Sequence, residues 1–144
     1  MQQRYSQTED TGKLPAENEQ PLAGVQVLLV EDELDVADLL LFILDDAGAE
    51  SVWVMHSNEA LACLSHFHPD ILLSNVRLPD HDGDWLIQKI RQSEINREAH
   101  LPAIALTSYT REVVVDKVLT AGFDRFIHKH FDPTEIISTI LDLL

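Results

Sequence analysis

From Val25 onward the chain alternates between short unbroken apolar runs and stretches in which apolar residues recur every three or four positions. The first pattern is that of strands covered on both faces, the second that of helices with one covered face. Their alternation predicts βα units around a parallel sheet. VQVLLV (Val25 to Val30) reads as a buried strand ending in the acids Glu31 and Asp32. Leu34, Ala37, Leu40, Leu41 and Leu44 then keep helical spacing until Gly48 stops the segment. SVWVM (Ser51 to Met55) reads as a second strand and Asn58 to Phe67 as a short helix. DILLSN (Asp70 to Asn75) is the third strand; a turn-rich loop through Pro79 and Gly83 leads into a helix from Asp84 to about Ser93. PAIAL (Pro102 to Leu106) is the fourth strand, followed by a helix from Thr110 to Ala121 that Gly122 closes. FDRFIH (Phe123 to His128) is the fifth strand, and Pro133 to Leu143 the last helix, with Asp132 as its N-cap and proline at its first position. The expected fold class is α/β: a doubly wound five-stranded parallel sheet with flanking helices.

In such sheets function sits outside the carboxyl ends of the strands. That rule gathers Glu31 and Asp32 after the first strand, Asn75 at the end of the third, Thr107 after the fourth and Lys129 after the fifth. Two carboxylates, an amide, a hydroxyl and an ammonium at one edge suit a hard divalent cation with an oxyanion beside it. Taken singly these residues say little: paired acids favour any helix start, Thr107 is an ordinary cap and Lys129 an ordinary surface lysine.

Composition narrows the partners. The 144 residues carry ten Lys and Arg against twenty-five Asp and Glu, a net charge of −15, so nucleic acid and anionic lipid surfaces are disfavoured. No apolar stretch approaches the roughly 20 residues that span a bilayer. Residues 1–23 are polar and acidic, without an apolar signal core, and read as a flexible tail or linker ahead of one domain over residues 24–144. The single cysteine, Cys63, excludes an internal disulfide and reads as helix packing. A cytoplasmic protein is expected.

The stretches VLLVED, PDILLSNVRLPDHDG, PAIALTS and GFDRFIHK, in this order and spacing, resemble the receiver domain of two-component response regulators, a flavodoxin-like fold, over about residues 24 to 144. The resemblance implies a signalling module, not an enzyme, whose partner is a histidine kinase or phosphotransfer protein; association of two copies through a receiver surface is also open. It implies Mg²⁺ held by the acids matching Glu31 and Asp32, by the acceptor position and by the backbone carbonyl of Arg77. Thr107, Phe126 and Lys129 take the positions that answer to the phosphoryl group. By strand position alone, Phe126 reads as core packing.

Two residues depart from the family pattern. The phosphoacceptor position is Asn75, and the ungapped PDILLSN leaves no register that recruits Asp70 or Asp80 instead. An amide oxygen is a far weaker nucleophile than a carboxylate, so phosphorylation by the usual route is not expected. One negative charge beside the ion is also missing, which predicts weak or absent Mg²⁺ binding. The same change relieves crowding of like charges and is expected to stabilise the metal-free fold. Where the family has Lys-Pro, this chain has Lys129-His130, which predicts a trans bond.

Two origins fit Asn75: a pseudo-receiver, or a phosphorylatable receiver inactivated by an engineered Asp-to-Asn change. The otherwise complete pocket favours replacement by design; His130 favours natural drift. A phosphotransferase-like α/β enzyme is the weaker alternative, because the strand end offers no aspartate nucleophile. No DNA-binding segment follows Leu144, so output is expected from the receiver surface, a partner or segments outside this chain; a stand-alone regulator and a module of a hybrid kinase both fit. His66-x-His68 and His128-x-His130 lack the further ligands a zinc site needs and read as solvated loops. Trp53 reads as core and Trp85 as partly exposed. Residues 24–76 hold ten acids and no Lys or Arg, so Glu33, Asp35, Asp38, Asp45 and Asp46 give the first helix an acidic solvent face, in the region where the family docks its partner.

Overall fold

The computed structural model of the chain describes residues 20–95, 97, 99–108 and 112–144. Five strands, β1 (Gln26–Val30), β2 (Glu50–Val54), β3 (Ile71–Asn75), β4 (Ala103–Thr107) and β5 (Arg125–His128), alternate with α1 (Leu34–Asp46), α2 (Ser57–Leu64), α3 (Gly83–Glu94), α4 (Glu112–Ala121) and α5 (Pro133–Leu143). All described pairings are parallel, in the order β2-β1-β3-β4-β5. The doubly wound sheet is as the apolar pattern predicts.

Alternation along each strand feeds two cores. Val27 and Leu29 of β1 pack with Leu40, Leu44, Ile136 and Ile140 of α1 and α5. Leu28 and Val30 face the other way, onto Leu86, Ile87 and Ile90 of α3 with Ala60 of α2 and Val118 of α4. Both faces of β1, β3 and β4 are covered, which is why those strands read as unbroken apolar runs. The edge strand β2 is only half-covered, and Trp53, expected in the core, is half-buried against the α1/α5 side.

Local chemistry sets the boundaries. Asp132 accepts a hydrogen bond from Thr134 N at 2.9 Å with Pro133 behind it, as its cap position predicts. Gly83, expected in a loop, is instead the first residue of α3. A Cβ there would stand 2.5 Å from the Asn75 carbonyl oxygen, so only glycine lets α3 approach the end of β3, where Gly83 N donates to Val76 O at 2.7 Å. The ordered fold also begins earlier than residue 24. Leu22 is fully buried, and its N–H donates to Ala47 O at 2.8 Å, so the boundary moves towards the N-terminus. Residues 1–19 of the expected tail, and Thr110 at the expected start of the fourth helix, lie outside the described residues.

Candidate functional site

The carboxyl ends of β1, β3, β4 and β5 meet around a cleft of about 260 Å³ lined by Asp32, Glu33, Asn75, Val76, Arg77, Thr107, Ser108 and Lys129. A larger cavity of about 710 Å³ lies at the opposite edge, under the α2–β3 and α3–β4 connections, away from this chemistry. Asn75 ends the wholly buried β3, and Lys129 leaves β5 with its N–H on Thr107 O at 2.8 Å. Strand register thus brings together residues up to 98 apart in sequence.

Asn75 is the hub. Its Nδ2 donates to Glu31 Oε2 at 3.0 Å and to Asp32 Oδ1 at 2.9 Å, while its Oδ1 accepts from Arg77 N at 3.3 Å. One amide group therefore holds both acids. Rotating it by half a turn would set its oxygen against two carboxylates and its N–H groups against an N–H, so the network itself dictates the orientation.

Glu31 is not the solvated helix start its sequence position allows: it is fully buried. Its Oε2 also accepts from Glu33 N at 3.0 Å, its Oε1 lies 3.1 Å from Lys129 Nζ, and its backbone carbonyl accepts from Trp53 Nε1 at 2.8 Å. Burial pushes its carboxyl above the usual range, against the opposing pull of the Glu33 N–H and the Lys129 ammonium. Lys129 is also paired with Glu33, a contact the acidic-face reading of Glu33 did not foresee. Three carboxylates thus share one ammonium and one neutral amide.

Thr107, buried, lines the same cleft, as does Arg77. Phe126 does not. It is 36% exposed on the edge strand β5, whose next residue, Ile127, fills the core, so the expectation of core packing is corrected. Among the described residues no peptide bond is cis, as Lys129-His130 predicts. His128 is half-buried rather than solvated. Its Nε2 donates to Ser108 O at 3.1 Å and its Nδ1 accepts from His130 N at 3.2 Å, which clips the β5–α5 and β4–α4 connections together beside the cleft. His66 and His68 are exposed, as expected.

Asp80 was missed by sequence reasoning, which weighed it only as an acceptor. It reaches across to α2 and accepts from Ser57 N and Asn58 N, both at 2.9 Å, while Ser57 Oγ donates to His81 O at 2.7 Å. Burial opposes its charge, but the Asn58, Ser57 and His81 N–H groups prevail and hold the carboxyl at about 2. A cap supplied from a distant loop leaves no local signal in the capped helix.

The oxygens around the cleft are of the kind Mg²⁺ takes, yet their arrangement does not fit the ion. Asn75 turns N–H donors towards both carboxylates, and a hard cation needs oxygen there.

The chain matches the model of the response regulator receiver domain over residues 27–141. It is 40% identical over 121 residues to an uncharacterised 14.6 kDa protein of Leptolyngbya boryana, covering 84% of this chain and 91% of that one. It is 32% identical to the response regulator Rre1 of Synechocystis, covering 83% of this chain and 52% of the other, and 30% identical to the transcriptional regulatory protein TrcR of Mycobacterium tuberculosis, of which it spans 50%. Among solved structures, the signal receiver domain of a histidine kinase from Syntrophus aciditrophicus superposes with a TM-score of 0.75 at 30% identity, over 84% of this chain and 90% of that one. The receiver domain of a Pseudomonas aeruginosa sensor histidine kinase, with magnesium in its active-site cleft, superposes with a TM-score of 0.76 at 27% identity, over 84% and 98%. The sheet order, the cleft at its carboxyl edge and these matches converge: the chain belongs to the response regulator receiver family.

Proposed function

We propose that this chain is a receiver of a two-component phosphorelay that is not phosphorylated at Asn75 and acts, without bound metal, as a protein-interaction module. A receiver is a signalling module and not an enzyme. The observation that carries the reading is the Asn75 amide, which donates to Glu31 and Asp32 at once. The neutral amide is a poor nucleophile towards phosphorus, and its N–H donors are turned to the carboxylate oxygens that a cation would need. Asp32, Glu31 and the Arg77 carbonyl are the groups that would hold Mg²⁺ if position 75 were an aspartate. Thr107 and Lys129 would then face the phosphoryl group.

The partner in this reading is a histidine kinase or phosphotransfer protein in the cytoplasm. Its docking face is α1, where Asp35, Asp38, Asp45 and Asp46 are exposed around Leu39 and Phe42, the latter 69% exposed. Acids steer a basic partner, and the two apolar side chains offer it contact area. Among the described residues, no helix is long and apolar enough to cross a membrane.

The test compares this chain with Asn75→Asp, each given phosphoramidate and Mg²⁺ and read by intact mass. The expected result is a phosphoryl adduct on the aspartate variant alone. An adduct on the Asn75 chain that maps to the cleft would overturn the reading.

A further inference from the structure

Lys129 meets its two carboxylates on very different terms. Glu31 is fully buried, and its Oε2 also accepts from the Asn75 amide and the Glu33 N–H, so it has nowhere to go. The side chain of Glu33 is 56% exposed at the mouth of the cleft, and the contact that holds it there is Lys129. Lys129 itself is only 9% exposed, with its backbone anchored on Thr107. An oxyanion entering the cleft meets Lys129, with Arg77, Thr107 and Ser108 among the lining residues, but Glu33 already occupies the outward side of the ammonium.

We propose that Glu33 is the gate of this cleft: its carboxylate substitutes for an incoming oxyanion at Lys129, and an anion of the phosphate class binds only by displacing it. The inference rests on the receiver reading of the site and adds a residue outside the matched acid pair. Charge balance gives the direction. With Glu33 in place, three acids crowd the single ammonium of Lys129; without it, two do, and the repulsion an anion meets at the mouth falls. Position gives the consequence. The Glu33 carbonyl accepts from Ala37 N at 2.9 Å and its N–H is held by Glu31, so the residue that lets go of Lys129 is also the first link of α1. Anion occupancy is thereby coupled to the helix that carries the acidic face.

Inorganic phosphate is the probe, titrated at constant ionic strength into the full chain and into Glu33→Gln and Glu33→Ala, with backbone amide resonances of Thr107, Ser108 and residues 33–37 as the readout. Both variants are expected to bind about tenfold more tightly than the parent. In the parent, binding shifts the resonances of 33–37 together with those of Thr107. Adding Lys129→Met to Glu33→Gln removes the gain. Equal affinity of parent and both Glu33 variants overturns the proposal, as does a gain that survives Lys129→Met or no saturable binding to any of them. Two variants of an exposed side chain, each checked for dispersed amide resonances, keep misfolding from imitating either result. A phosphoryl adduct on the parent would defeat the reading of Asn75 and leave this comparison intact.

Discussion

At the amino edge of the sheet, Arg91 reaches from α3 to Gly122 O at 3.0 Å, Leu101 O at 2.8 Å, Glu94 at 2.9 Å and Asp124 at 3.1 Å. Asp124 in turn accepts from Ala103 N at 2.8 Å, and Glu94 from Leu101 N at 2.9 Å. At the carboxyl edge, Glu31, Asp32 and Glu33 share Lys129 and the Asn75 amide around an open cleft. The first network is dense with backbone partners and pins α3 to the starts of β4 and β5. The second sets three carboxylates around one ammonium and is held largely by side chains that can exchange. One sheet thus carries a staple at one end and an adjustable site at the other.

The largest expected effect falls on the staple. Arg91→Met leaves Glu94 and Asp124, both mostly buried, with only the exposed His100 ring as an ionisable partner and strips two carbonyls of a donor. A loss of about 3 kcal/mol in urea unfolding is expected. The cleft lies at the other edge, so the phosphate affinity of Glu33→Gln should be unchanged when Arg91→Met is added. A loss below about 1 kcal/mol would put the Arg91 network among ordinary surface pairs and erase the contrast.

The next effect sharpens the other side. Asn75→Asp replaces two N–H donors by an oxygen facing two carboxylates, and a metal-free loss of about 2 kcal/mol is expected. Calorimetric melting in chelator and in Mg²⁺ separates the causes. The variant should melt lower than the parent in chelator and rise with Mg²⁺, whereas the parent should hardly respond. Equal melting in chelator would mean that the amide does not relieve the acids.

The fold was legible because its information is local and repeated: unbroken runs for strands covered on both faces, helical spacing at Leu40 and Leu44, Asp132-Pro133 at the start of α5. The gathering of Glu31, Asp32, Asn75, Thr107 and Lys129 was legible through topology, since parallel strands deliver their ends to one edge. What sequence did not show depended on distances between elements. The Lys129–Glu33 pair follows from how far a side chain reaches across the cleft, and Glu33 read equally well as part of a solvated face. Phe126 sits where strand alternation suggests cover, but β5 is an edge strand and the cover is incomplete. Leu22 is an isolated apolar residue in a polar stretch, and only the packed structure assigns it to the core.

The smallest effect tests a helix cap that also lies at the carboxyl edge, beside the cleft residues. Asp80 holds the first two N–H groups of α2 from the β3–α3 loop, so Asp80→Ala frees both and is expected to cost about 1 kcal/mol at neutral pH. The sign with pH follows from its depressed pKa. The folded carboxyl titrates at about 2 against an ordinary value of 3.8, so its contribution is complete above the ordinary value and fades as pH falls through about 2. The melting difference between the parent and Asp80→Ala should therefore be constant from neutral pH down to about pH 5 and shrink below about pH 4. Asp80→Asn separates charge from geometry: its amide oxygen can accept one of the two N–H groups, which predicts an intermediate loss with little of the acid-range change. A difference between parent and Asp80→Ala that stays flat to the lowest accessible pH would show that α2 is held by its packed residues, with the cap incidental.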